Sequence, residues 1–353
     1  MSENIEASGW NAIEGAMVKL YNEQEPKHYG TMIPYALGGQ DPLDGISVYK
    51  ACKPLPHWHF VTYGFSELYE KESDNHDFSG FGFELTLRLA RDEQEEEPPA
   101  WALNLLQNMG RYVFNSGNIL APGDYLDANG PICLGSDTKL TALAFIEDGE
   151  LPALHTPNGR VEFVQMIGIT EDELEAMKTW STYGLLEACQ ELLPAHITDL
   201  ARESMLQVPA IAEAVQKGID QDGSNTGFLY VDQLSFKPCK KRLLHRSPAE
   251  LTLGAKQAGT VGKLLRGRLM KGKNLTLSSQ DLSVILMPGE ESSYEASDKE
   301  IRLTLAPEVI TELSSLMQPR EEVLRLASYH DLMIHIVKTH IKDQDGNIVS
   351  TIG

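Results

Sequence analysis

Apolar residues first recur at helical spacing near the start of the chain, where Trp10, Ile13, Met17, Leu20 and Tyr21 predict a short amphipathic helix. Ile33 to Asp44, rich in Gly and Pro, reads as an irregular loop. The period then shortens. His57 to Gly64 and Phe81 to Leu89 suit strands, with Phe81, Phe83, Leu85, Leu87 and Leu89 alternating over one face. The polar stretch Ser66 to Gly80 joins that pair as a long hairpin loop. An acidic run, Asp92 to Glu97, leads through Pro98-Pro99 into a helix whose apolar face holds Trp101, Leu105, Met109, Tyr112 and Val113. Carboxylates ahead of that N-terminus favour the helix dipole. Leu140 to Ile146 and Val161 to Ile167 predict strands, and Thr170 with Glu173 forms a capping-box signature that opens a long helix towards Leu193.

A further helix is predicted over Pro209 to Ile219, broken by Asp222-Gly-Ser-Asn225. Periodicity then fades until about Leu251 while Lys237, Lys240, Lys241, Arg242, His245 and Arg246 cluster, which places the domain boundary here and predicts domains 1–236 and 237–353. Leu264 to Met270, Leu275 to Ser278, Leu282 to Met287 and Ile301 to Leu305 predict strands, and Pro307 to Met317 a helix begun by proline. At the end, Leu332 to Ile341 and Ile348 to Ile352 flank an Asp345-Gly346 hairpin turn. Strands interrupted irregularly by helices do not give the βαβα rhythm of a parallel sheet. The expectation is an α+β chain: two mixed domains with largely antiparallel sheets joined by a linker.

Composition narrows the classes. With 353 residues, 42% hydrophobic and 23% charged, the chain suits a globular protein with a sizeable core. The formal charge of −21 disfavours nucleic acid and anionic membrane surfaces as partners; it attracts a basic partner or serves solubility. Cys52, Cys133, Cys189 and Cys239 are widely spaced and fit reduced thiols. Met1 to Asn22 lacks a basic stretch followed by an apolar one, and no run of about 18 apolar residues occurs, so a cytoplasmic location is expected.

Candidate chemistry is sparse. Gly267 to Lys273 satisfies GxxxxGK, the pattern of a nucleotide-binding phosphate loop, but Asn274 stands where a Ser or Thr must meet Mg²⁺, and a hairpin turning at Lys271-Gly272 suits the segment better. His57 and His59 share one face of a strand, which fits two metal ligands or two buried, hydrogen-bonded rings; no other ligand cluster completes the first. Asp220-Gln-Asp-Gly223 and Asp343-Gln-Asp-Gly346 read as turns, since neither has the glycine position of a calcium loop. No cofactor, metal or catalytic residue is expected.

The segments Leu37-Gly-Gly-Gln-Asp-Pro-Leu-Asp44, His57-Trp-His59, Ser79-Gly-Phe-Gly-Phe-Glu-Leu-Thr86 and Arg111-Tyr-Val-Phe114 together resemble the N-terminal domain of the suppressor of fused family. Thr156-Pro-Asn-Gly159 and Lys217-Gly-Ile-Asp-Gln-Asp-Gly-Ser-Asn225 look like later parts of it, and Leu265-Arg-Gly-Arg-Leu269 with Lys271-Gly-Lys273 is similar to the C-terminal domain. The chain lacks the long insert of animal members and so resembles a bacterial-type one. The resemblance implies no catalysis. It implies capture of a partner polypeptide between two domains, with the segment adding as a strand. Tyr112, Asp124 and Glu147 match the peptide-contacting positions: an aromatic for packing and two carboxylates for a cationic or hydrogen-bond-donating peptide. Tyr112 also fits the apolar face of its helix, and Asp124, after Pro122-Gly123, also fits a turn. Asn129 and Thr260 depart from a family histidine and a family apolar residue, implying a different peptide from the animal one. Two partners are compatible with this picture: a basic toxin neutralised by an immunity protein, or a linear motif of an endogenous protein held by an adaptor.

Overall fold

The computed structural model describes residues 7–33, 35–242, 245–342 and 347–353. Its chain forms two compact units, Met1–Leu174 with Thr182–Ala212, and Glu175–Ser181 with Glu213–Gly353. Residues 236 and 237, the boundary expected from composition, lie in a strand of the second unit.

In the first unit the elements run α1 (Ser8–Tyr21), β1 (Lys27–Gly30), β2 (Gly45–Ala51), β3 (His57–Tyr63), β4 (Phe78–Ala90), α2 (Ala100–Ser116), β5 (Tyr125–Asp127), β6 (Leu140–Glu147), β7 (Leu154–Thr156) and β8 (Gly159–Thr170). Next in the chain come α3 (Glu171–Thr179), α4 (Thr182–Ala188) and α5 (Pro209–Asp222); residues 175–179 of α3 and 213–222 of α5 belong to the second unit. The eight strands make one mixed sheet in the order β1-β2-β3-β4-β8-β6-β5, with β7 folded back on β8. β3 and β4 pair antiparallel, His57 opposite Ala90, as the long hairpin predicted; β4 and β8 run parallel. Thr156-Pro-Asn-Gly159 is the tight turn between β7 and β8, and Gly159, at φ 116°, occupies a conformation that L side chains rarely adopt.

Alternation decides what each sheet face meets. Phe83, Leu85, Leu87 and Leu89 turn to the face covered by α2, where Leu105, Leu106, Met109 and Val113 pack with Trp58, Phe60 and Phe145. The opposite face is buried as well. Its apolar half lies under α1, where Ile13 and Met17 meet Tyr49, Val61, Tyr63 and Phe163. Its other half is polar: Glu84, Thr86 and Arg88, which alternation alone would hand to solvent, are at most 1% exposed.

The predicted long helix from Thr170 to Leu193 is two helices, because residues 175–181 pack in the second unit. Only half of the capping box forms: the Glu173 carboxylate accepts the Thr170 N–H at 2.9 Å, while the Thr170 hydroxyl donates to Asp172.

The second unit continues with β9 (Phe228–Tyr230), β10 (Leu234–Lys237), β11 (Lys240–Arg242), β12 (His245–Ser247), β13 (Ala249–Gly254), α6 (Ala255–Arg268), β14 (Leu275–Ser278), β15 (Ser283–Pro288) and β16 (Ser293–Ala296). β17 (Glu300–Leu305), α7 (Pro307–Leu316), β18 (Glu322–Arg325), β19 (Leu332–Val337), β20 (Thr339–Lys342) and β21 (Ile348–Ile352) complete it. Two mixed sheets, β10-β13-β19-β18 and β16-β17-β15-β14-β9, share a core with α6 and α7 in which Val261, Leu265, Leu277, Val284, Leu303 and Ile334 are buried. The expected hairpin arm Leu332 to Ile341 is divided: β19 pairs with β13 and β18, and only β20 pairs with β21, the Asp345-Gly346 turn lying outside the described residues. Most strand pairs in both units are antiparallel, and the fold class is the α+β one expected.

One segment departs from expectation. Leu264 to Met270, predicted as a strand, belongs to α6 and the single 3₁₀ turn after it. Ala258, Val261, Leu264 and Leu265 recur at helical spacing and are all buried, a period masked by reading only its last turn. Gly272 (φ 74°) ends that 3₁₀ turn in the left-handed conformation; it is not a hairpin turn.

Trp180 anchors residues 175–181. Its indole N–H donates to Asp222 at 2.9 Å and its carbonyl accepts the Asn225 N–H at 2.8 Å. A Cβ on Gly218 of α5 would lie 2.0 Å from the Trp180 ring. Gly218→Val is therefore expected to cost about 1–3 kcal/mol by overpacking, read as a lower denaturation midpoint of the variant.

Candidate functional site

The polar half of the β3/β4 face is a network of named partners. Arg88, 1% exposed, donates from Nη1 and Nη2 to both oxygens of Asp148 at 2.8 and 2.9 Å, and also to Gln165 and Glu150. The Thr86 hydroxyl donates to Asp148 at 2.6 Å. His59 stands 2.7 Å from the Tyr21 hydroxyl through Nδ1 and 3.7 Å from Asp148 through Nε2. Burial alone would raise the Asp148 carboxyl, but His59 and Arg88 outweigh it and hold the group far below the usual carboxylate range. Burial is also what lowers His59, and it takes His57 down to about 4, so both rings are neutral near pH 7.

Those rings are the pair singled out as candidate ligands. They are buried, and His57 Nδ1 donates to the Leu55 carbonyl at 2.7 Å while His59 bonds Tyr21, which is the hydrogen-bonded alternative. Among the described residues no three His, Cys, Asp or Glu side chains come together as a metal site. Two further histidines lie in strands, His28 in β1 and His155 in β7.

The near phosphate loop has the wrong polarity. A phosphate loop leads from a strand into a helix N-terminus, where backbone N–H groups and the helix dipole hold the anion. Here Gly267 and Arg268 close α6, and a strand follows. Lys271 Nζ donates to the carbonyls of Asp220 and Gln221, at the end of another helix.

Two of the three candidate contact residues meet around a side chain that the sequence did not mark. Asp124 ends the turn Ala121-Pro-Gly-Asp124: its Oδ2 accepts the Ala121 N–H at 2.8 Å, and its own N–H donates to the Ala121 carbonyl. The turn reading of Asp124 is thus realised, and its carboxylate is exposed. Asp124 O accepts the Phe145 N–H at 2.9 Å, which sets the turn beside the end of β6, where Glu147 projects to solvent. The Tyr183 hydroxyl, from α4, donates to Glu147, and burial together with Glu147 and Asp124 pushes its phenol well above the ordinary range. Tyr112 is half-buried on the α2 core face, and its hydroxyl accepts from Asn118 at 3.0 Å. No contact in the described residues ties Tyr112 to the other two.

Asn129 adopts φ 55° in a local turn with its N–H on the Asp127 carboxylate, and Thr260 is buried with its hydroxyl donating to Glu175 at 2.7 Å. Tyr183 was hidden inside the predicted long helix, although Ser181-Thr182 ahead of it is the kind of dipeptide that starts a new one.

The fold and these side chains define a two-unit α+β protein whose buried ionic groups are engaged in holding structure. Comparison with known proteins is specific. The family described as suppressor of fused protein (SUFU) matches residues 39–203. The suppressor of fused homologs of Homo sapiens and Mus musculus are each 37% identical over 237 residues, covering 62% of this chain and 48% of theirs. The chain thus spans about half the length of these curated relatives. Among solved structures, a Sufu–Fu complex is similar at 32% identity and TM-score 0.56, covering 60% of this chain and 98% of that one. The crystal structure of Drosophila Suppressor of Fused has the same fold at TM-score 0.79 and 24% identity, covering 94% of this chain and 97% of that one. The chain belongs to the suppressor of fused family. No helix among the described residues is long and apolar enough to cross a membrane.

Proposed function

We propose that this chain is a non-catalytic protein-binding protein that captures a segment of a partner polypeptide, with Tyr112, Asp124 and Glu147 as contact residues. The observation that carries the reading is the convergence of the exposed Asp124 and Glu147 carboxylates on Tyr183 in a chain of net charge −21. An exposed anionic pair recognises cationic or N–H donor groups and speeds their arrival electrostatically. A solved family member in complex with Fu supports protein binding as the activity. The buried Arg88 and Asp148 are paired through two hydrogen bonds and His59 is bonded to Tyr21, which supports a structural role for them.

Peptide display against the chain tests this. The expected result is a short basic consensus whose binding is abolished by Asp124→Arg; a consensus indifferent to that charge reversal sinks the reading. The acidic surface equally favours a second partner class, a folded basic toxin neutralised by an immunity protein. In that case display returns no linear consensus, and a small basic protein co-purifies with the chain from its native cells.

A further inference from the structure

Consecutive residues at the start of α4 hold both carboxylate-bearing elements. The Thr182 hydroxyl donates to the Gly123 carbonyl at 2.6 Å, in the turn that carries Asp124. Next in sequence, Tyr183 lays its ring against the same glycine, where a Cβ would stand 3.3 Å from Cε2, and gives its hydroxyl to Glu147 at the end of β6. Gly123, at φ 95°, suits this place twice over, by its backbone conformation and by the close approach of the ring. Yet Tyr183 stays 47% exposed, so packing alone does not account for an aromatic here.

We propose that Tyr183 is the positioning and specificity-determining residue of the Asp124–Glu147 site, fixing the two carboxylates for a guanidinium or ammonium group of the partner and offering that group its ring face. The inference rests on the reading of the preceding subsection. One oxygen of each carboxylate is committed, Asp124 Oδ2 to the Ala121 N–H and Glu147 Oε2 to Tyr183. Asp124 Oδ1 and Glu147 Oε1 accept no bond from the described residues and remain for the partner. A cation placed between two anionic oxygens and an aromatic face gains from both, and a rigid tyrosine lowers the ordering cost of binding it. The partner segment is thus one with Arg or Lys at the position that reaches this turn.

The probe is the consensus peptide selected from a random heptapeptide display library on the wild-type chain, with Kd measured by calorimetry. Tyr183→Phe, which keeps the ring and deletes the bond to Glu147, is expected to weaken the peptide about tenfold, the scale of a hydrogen bond to a charged group, with an unchanged melting temperature. Tyr183→Leu weakens it further. Tyr183→Phe and Glu147→Gln combined cost less than the sum of the two, because both break one bond. Glu147→Gln also brings the Tyr183 phenol titration down, a response that passive packing would not give. If Asp124→Asn with Glu147→Gln abolishes binding while Tyr183→Phe binds like wild type, the positioning role is overturned and the site stands. A library that yields no consensus, or one that binds the doubly neutralised variant undiminished, overturns the site itself and the role of Tyr183 with it.

Discussion

Replacing Arg88 with methionine is expected to remove about 3–5 kcal/mol of stability, the cost of leaving a buried carboxylate without its cation. Asp148 is 6% exposed and takes two bonds from the guanidinium; without them it keeps only the Thr86 hydroxyl, the distant His59 ring and neighbouring backbone N–H groups. Urea denaturation measures the loss directly. The companion variant Arg88→Met with Asp148→Leu should recover a good part of it, because the damage lies in the stranded charge. The pH dependence follows from the same pair. Asp148 titrates lower in the folded chain than in the unfolded one, so its contribution is present above the ordinary carboxylate range and lost as the pH falls below it. That acid-side slope should shrink in the double variant. A single variant as stable as the wild type would show that the network carries no weight.

Glu84 gives the opposite slope. Fully buried on β4, it accepts the N–H groups of Gly64 and Ser66 at 3.0 and 2.9 Å and the hydroxyls of Ser66 and Thr62 at 2.6 Å. Burial raises its carboxyl, and these donors pull it back only to about 7. A carboxyl that holds its proton more tightly when folded stabilises fully below its unfolded pKa, and that contribution is lost as the pH rises through about 7. Glu84→Gln copies the protonated form, and its advantage over wild type should grow from pH 5 to pH 8 in parallel denaturation curves. Glu84→Ala instead strands three backbone N–H groups, those of Gly64, Phe65 and Ser66, at the mouth of the hairpin loop and is expected to cost about 2–4 kcal/mol at either pH. Equal pH profiles for the Glu84→Gln variant and the wild-type chain would mean that Glu84 is already ionised below pH 5.

These two residues show where sequence reading stopped. Alternation along β4 identified the apolar face correctly, because Phe83 to Leu89 carry their own period. It could not show that the polar face is covered too, since the partners of Arg88 lie 60 and 62 positions away at Asp148 and Glu150 and carry no periodic mark. The β3–β4 hairpin and the helix from Ala100 were legible from local pattern and start signals. Helix α6 was not: its glycines and its short apolar run imitate a strand until the chain around it supplies two sheets to pack against. Of the candidate site, Asp124 was read both as a turn residue and as a contact, and the turn is present. Tyr183 escaped because a predicted continuous helix hides the break that aims it.

The seven residues Glu175–Ser181 belong structurally to a body whose remainder begins only at Glu213. Genetic cutting therefore cannot separate the two bodies at any one point. A C-terminal piece starting at Glu213 would lack Trp180, so Gly218 and the Asp222 carboxylate would lose their cover, and the N-terminal piece would carry that tryptophan with nowhere to put it. Independent expression calls for a circularly rearranged gene, or for a short synthetic peptide spanning 175–181 supplied in trans, whose capture would be visible as burial of a single indole.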